Sequence, residues 1–218
     1  NSSDGVYMDQ LPLEVYSSDE VKFIEAEHAK EHNGHCFDLM QQAGNAVFDF
    51  IVRECAQAKD VWIFCGKGNN GGDGLVMARV LQASGWQADI VFLLGKPLSV
   101  LAELNKTRLE GLAGIEFLNG HDVWAAQYNV IIDGVFGIGF NGRLPEHVAQ
   151  YCKKLNEMTA LKVALDMPTG LNGDNAEVDI NTFKADMTYA FAAYKPAHLD
   201  NIAQQHCGEI VCLDIGIE

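Results

Sequence analysis

The sequence predicts an α/β fold, a mostly parallel sheet with helices on both faces. Three observations carry this. Short apolar runs of strand length, such as Val61–Cys65 and Val163–Leu165, alternate with stretches of helix length. Polar, glycine-rich segments follow directly on several of the apolar runs. No linker or internal repeat divides the 218 residues, so the whole chain, 1–218, reads as one domain with a single substantial core.

Two helical patterns come first. Ser17 to His32 opens with Ser17 followed by Glu20, a capping-box arrangement, and Phe37 to Cys55 continues as a second helix. The alternation then runs strand 61–65, helix 75–84, strand 88–94, helix 98–112, strand 115–118, a short helix near 121–127 and strand 129–133. Helix 146–157, strands 162–166 and 186–191, a short helix near 198–206 and strand 209–213 complete it. Residues 1–7 precede the first methionine, Met8, and read as an appended or processed segment outside the fold.

Composition narrows the function classes. A formal charge of −15 with no basic stripe disfavours nucleic acid or an anionic membrane as the main partner. No apolar run reaches membrane-spanning length, and the start is polar rather than leader-like. Cys36, Cys55, Cys65, Cys152, Cys207 and Cys212 lie scattered in apolar segments without a C-x-x-C pair, which reads as buried free thiols in a reducing, cytoplasmic compartment.

The segment Gly66-Lys67-Gly68-Asn69-Asn70-Gly71-Gly72-Asp73-Gly74 places five glycines in nine residues between a strand and a helix. Glycine removes the Cβ that blocks close approach, and a helix N-terminus offers unpaired N–H groups, so the pattern favours a phosphate or another anion. It lacks both the Gly-Lys-Ser/Thr ending of a P-loop and the G-x-G-x-x-G dinucleotide spacing. Two further loops, Asp133 to Arg143 and Asp166 to Asp174, also follow predicted strands. Carboxyl ends of parallel strands share one side of a sheet, so one cleft can gather all three.

Asp133 and Asp166 end apolar strands and are candidates for acid–base work, against the plainer reading that each caps the following turn. Arg143 sits in the second loop either as a phosphate clamp or as a surface ion-pair partner. Lys195 falls beyond the strand Met187–Phe191, next to Pro196. His28 and His32, four apart on one helix, lack further ligands for a metal, and no G-x-S-x-G elbow is present.

Taken together, GKGNNGGDG with Ala78-Arg79, DGVFGIGF-NGR and DMPTGLNGD resemble the NAD(P)H-hydrate epimerase family, the YjeF N-terminal domain, and Leu213-Asp214-Ile215-Gly216-Ile217 looks like its last strand. The resemblance runs from about Ser17 to the C-terminus. It implies a Rossmann-like three-layer α/β/α sandwich, commonly dimeric, that interconverts the R and S hydrates of NADH and NADPH (NADHX and NADPHX), which bear a hydroxyl at C6 of the nicotinamide ring. An S-specific dehydratase, fused or separate, then restores the dinucleotide. The resemblance further implies a potassium ion, one per subunit, on Asn70, Asp133 and Thr169. Substrate would lie against Asn69, Asn70, Gly71, Gly72 and Asp73, against Gly137, Ile138, Gly139, Phe140, Asn141, Gly142 and Arg143, and against Asp166 and Lys195. Asp166 is the expected catalytic acid and returning base. The same fold also occurs in an mRNA-decapping enhancer and in an apolipoprotein-binding relative, so a non-catalytic nucleotide-binding or scaffold module is the alternative reading.

Overall fold

In β2, Asp60–Cys65, residues Val61 to Cys65 are all buried, and the side chains split between the two faces of the sheet. Val61, Ile63 and Cys65 pack with the helices of one layer, while Trp62 and Phe64 pack with those of the other. A strand covered on both faces is what a near-continuous apolar run makes in a parallel sheet. The computed structural model describes residues 6–7, 36–55, 59–66, 69–95, 98–118, 128–136, 142–191, 194–201 and 203–213. The helices expected at 17–32 and near 121–127 lie outside these.

The remaining strands are β1 (Val6–Tyr7), β3 (Gln87–Phe92), β4 (Ile115–Phe117), β5 (Val130–Gly134), β6 (Leu161–Leu165), β7 (Met187–Phe191) and β8 (Glu209–Leu213). The helices are α1 (Cys36–Glu54), α2 (Asn69–Ala83), α3 (Val100–Leu109), α4 (Glu146–Glu157) and α5 (Gln204–Cys207), with a 3-10 turn at Pro196–Leu199. The sheet order is β1-β8-β7-β6-β5-β2-β3-β4, parallel throughout except that β1 pairs antiparallel with β8. Helices α1, α2 and α3 cover one face through Val47, Ile51, Leu75, Leu81 and Ala102. On the other face α4 contributes Val148, Cys152 and Leu155, and the 3-10 turn and α5 contribute Ala197 and Cys207. The expected three-layer α/β/α sandwich with a mostly parallel sheet is the observed fold.

Two differences from the sequence reading matter. Val6 and Tyr7, set aside as lying outside the fold, pair with Cys212 and Val211 as an edge strand. Helix α2 begins at Asn69 rather than Leu75, so Gly71, Gly72 and Gly74 belong to its first turns and not to a loop. Helix propensity argues against three glycines there; close packing overrides it. A Cβ on Gly71 would meet the Gly66 carbonyl oxygen at 2.2 Å, and one on Gly66 would meet that of Val135 at 2.2 Å. Gly71→Ala must therefore push backbone against backbone. The expected cost is about 1–3 kcal/mol in urea denaturation, with weakened ligand binding, because α2 can no longer seat against the end of β2.

Four of the described cysteines, Cys65, Cys152, Cys207 and Cys212, are buried free thiols, as expected, and Cys55 is half-buried. None of the described helices is long and apolar enough to cross a membrane.

Candidate active site

Strand order reverses between β2 and β5: the chain builds β3 and β4 on one side of β2 and β5 through β8 on the other. Ligands of open parallel sheets bind at such a switch point, outside the carboxyl ends of the strands. The two strands stay in register to their ends, Phe64 opposite Asp133 and Cys65 opposite Gly134. Beyond the ladder the Gly66 N–H still donates to the Gly134 carbonyl at 2.9 Å. The N-terminus of α2 thus opens over this crevice, where its first N–H groups have no partner within the helix and its dipole favours negative charge.

Asp133 does not emerge at the crevice floor but lies beneath it, with none of its surface exposed. One carboxylate oxygen accepts the Val135 N–H at 3.1 Å and the Thr169 hydroxyl at 2.6 Å, while the other accepts the Thr169 N–H at 2.6 Å. Burial raises its pKa to about 7, and the three donors pull it partly back. The second and third loops are thereby locked together through one carboxylate. Thr169 spends its hydrogen on Asp133 and keeps its oxygen lone pairs.

Asp166 follows the last residue of β6 and has φ +68°, in the left-handed region that aspartate tolerates better than most side chains. The Met167 N–H donates to the Leu165 carbonyl across it at 2.9 Å, closing a three-residue turn of the strained, positive-φ form. Its own N–H donates to the Tyr189 carbonyl at 2.7 Å, which ties the turn to β7. Lys195, with none of its surface exposed, forms an ion pair with the Asp166 carboxylate through Nζ. A buried ammonium beside a buried carboxylate survives because each offsets the other's lost hydration.

His198, also with no exposed surface, completes the group. Its Nδ1 accepts the Lys195 N–H at 2.9 Å, and its Nε2 lies 2.7 Å from the Asp166 carbonyl oxygen. An acceptor at Nδ1 and a carbonyl at Nε2 assign the neutral ring with its proton on Nε2. Burial, together with the Lys195 charge, depresses its pKa to about 4, against the weaker opposing effects of Asp166.

The structure therefore brings Asp133, Thr169, Asp166 and Lys195 to the carboxyl edge of the sheet, with Asn69 to Asp73 forming the first turns of α2. Gly142 and Arg143 are exposed. Gly137, Ile138, Gly139, Phe140 and Asn141 lie outside the described residues. His198 was not anticipated from the sequence. The signal available was Lys195-Pro196-Ala197-His198: a proline that starts a helical turn, with a residue three places after the cap able to reach back to the cap's N–H.

The family described as YjeF-related protein N-terminus matches residues 36–197, a span holding all three motifs and ending just short of His198. The chain is 37% identical over 187 residues to the Bifunctional NAD(P)H-hydrate repair enzyme Nnr of Pyrobaculum aerophilum, covering 82% of this chain and 37% of that protein. It is 34% identical over 183 residues to the NAD(P)H-hydrate epimerase of Rhodopirellula baltica, covering 82% and 75%. With the NAD(P)H-hydrate epimerase of Legionella pneumophila (strain Corby) it shares 30% identity over 189 residues, covering 83% and 69%. The chain thus spans little more than a third of the bifunctional relative and most of the two epimerases. The crystal structure of yeast ynu0 superposes with a TM-score of 0.74 at 23% identity, covering 85% of this chain and 83% of that one, and agrees in fold. On the family match and these identities, the chain belongs to the YjeF-related protein N-terminus family.

Proposed function

We propose that this protein is an NAD(P)H-hydrate epimerase, acting on the R and S forms of NADHX and NADPHX. The observation that carries this reading is the buried Asp166–Lys195 pair at the carboxyl edge of the sheet, in a chain whose relatives are named for this reaction. Epimerisation at C6 needs a proton delivered and taken back, with no hydride transferred. In the resting pair the transferable proton resides on Lys195 as its ammonium. Passing it to Asp166 neutralises both groups, and Asp166 then protonates the C6 hydroxyl. The C6–O bond breaks with its electrons going to oxygen, water departs, and the ring-nitrogen lone pair forms the planar iminium ion. Water adds to either face and returns the proton to Asp166. The N-terminus of α2 suits the pyrophosphate, held by backbone N–H groups in a protein whose overall charge of −15 would otherwise repel it.

Asn70, Asp133 and Thr169 suit a potassium ion, because amide, carboxylate and hydroxyl oxygens are hard donors of the kind alkali cations take. Asp133 supports this: a carboxylate buried this completely is costly to ionise, and an adjacent cation offsets that cost. Bound by these residues, the ion would supply positive charge that keeps Asp133 ionised. The sign of its effect with pH follows. Between the ordinary aspartate range and about pH 7 the folded state holds a proton that the unfolded chain releases, so stability from this group falls as pH rises through that window. Potassium therefore raises Tm more at pH 8, where it relieves an ionised Asp133, than at pH 5, where it competes with a proton. Melting curves in potassium and in choline salts at equal ionic strength check this, and equal shifts at both pH values contradict it.

A homodimer, and a dehydratase acting next in sequence whether fused or separate, belong to the same reading; one relative is named as a bifunctional repair enzyme. The decisive assay is recovery of reduced dinucleotide from the R hydrate in the presence of an S-specific dehydratase.

A further inference from the structure

The strained turn at Asp166 is gripped by His198 as well as by Tyr189 and Lys195. The Asp166 carbonyl is turned toward the 3-10 segment, where His198 Nε2 lies at 2.7 Å. Rotating the Asp166–Met167 peptide back toward the ordinary strand conformation would break that bond. The same ring accepts the backbone N–H of Lys195 at 2.9 Å, so one imidazole grips the main chain of both members of the ion pair. The ring is itself fixed. Tyr194 packs edge-on at 6.0 Å between ring centroids, the His198 carbonyl accepts from Gln204 Nε2 at 2.9 Å, and the neighbouring Ala197 N–H donates to Gly173 in the third loop at 2.9 Å. An imidazole that bridges two backbones in this way ties the Asp166 turn to the Lys195 main chain.

We propose that His198 is a positioning residue that holds the Asp166 turn and the Lys195 backbone in the geometry their shared proton requires. The proposal rests on the epimerase reading of the same site. It differs from a packing role in what it predicts for two near-isosteric replacements. Glutamine can place an amide N–H near the Nε2 position and restore the bond to the Asp166 carbonyl. Asparagine can place an amide oxygen near the Nδ1 position and restore only the bond from Lys195. A displacement on the order of 1 Å in a reacting group costs up to about 100-fold in rate, so His198→Asn should lower kcat by about 10-fold to about 100-fold, with KM for the R hydrate changed by less than about twofold. His198→Gln should recover most of that loss.

The test is steady-state epimerisation by wild type, His198→Asn and His198→Gln, each first checked for a cooperative melt. Alongside, nitrogen-15 chemical shifts of histidine in the wild-type protein at neutral pH identify the tautomer, with the His198 signal assigned in the wild type by through-bond correlations from its backbone to its ring. A kcat loss in Asn that Gln restores, with His198 neutral and protonated on Nε2, is the expected result. Equal activity in both variants and wild type overturns the positioning role, as does an equal loss in both. A charged or Nδ1-protonated His198 overturns it even if neither variant folds. Absence of turnover by wild type overturns the epimerase reading itself, and so is distinct from these outcomes.

Discussion

Asp166→Asn lowers epimerisation by about 10²–10⁴-fold, the range associated with loss of a general acid–base group, in a protein that still folds but is less stable because buried Lys195 loses its counter-charge. Asparagine is, with aspartate, among the few side chains that settle readily at positive φ, so the turn at φ +68° survives the replacement. Its amide oxygen still accepts from the Lys195 ammonium. What disappears is the carboxylate that, in the epimerase proposal, would accept a proton from Lys195 and deliver it to the departing hydroxyl. Chiral chromatography of quenched reactions measures the rate of R to S conversion, and a thermal melt measures the fold. A folded Asp166→Asn variant with near-wild-type turnover removes Asp166 from the mechanism.

The second large effect is on stability. Lys195→Met removes the partner of a carboxylate that is only 6% exposed. Breaking a buried pair from one side costs about 3–5 kcal/mol, because the remaining carboxylate loses its ammonium in a site with little access to water. Replacing both sides costs much less, so Asp166→Asn/Lys195→Met should regain most of the stability that Lys195→Met alone loses. It should regain none of the activity. Denaturant unfolding of the two single variants and the double variant closes the cycle, with the coupling read as the departure from additivity. Additive losses would show that the pair is not energetically coupled, and activity restored in the double variant would separate the chemistry from both residues.

The fold was legible because its central strands announce themselves. Runs such as Val61–Cys65 and Val130–Ile132 are apolar without alternation, which only a strand buried on both faces requires, and their polar ends mark where the sheet meets its ligand. The start of α2 was misplaced by six residues for a physical reason. Glycines that read as a flexible loop are needed where the helix presses on the ends of β2 and β5, and nothing in a local window reveals that contact. Val6 and Tyr7 escaped in the same way, since a two-residue edge strand gains its identity only from β8 beside it.

At the site, strand-end positions pointed to Asp133, Asp166 and Lys195 and the resemblance added roles for the carboxylates, while their mutual arrangement came from the tertiary structure. Asp166 and Lys195 stand 29 residues apart and meet because β6 and β7 are neighbours, which the alternation of elements does not specify. The proposed returning base is also the ion-pair partner of buried Lys195, a pairing that the sequence did not reveal. His198 was hidden because it fell inside a stretch read as one short helix near 198–206. That stretch divides into a 3-10 turn and the four-residue α5, and the capping contact of the first places the ring under Asp166.

The epimerase assignment stands or falls on giving the purified protein R-NADHX together with an S-specific dehydratase and its nucleotide, and following the ultraviolet absorbance of recovered NADH with and without potassium. Recovery well above the spontaneous rate, dependent on this protein and lost in Asp166→Asn, is the expected result. Recovery no faster than in its absence would contradict the epimerase assignment and leave a protein of this family that binds nucleotide without turning it over.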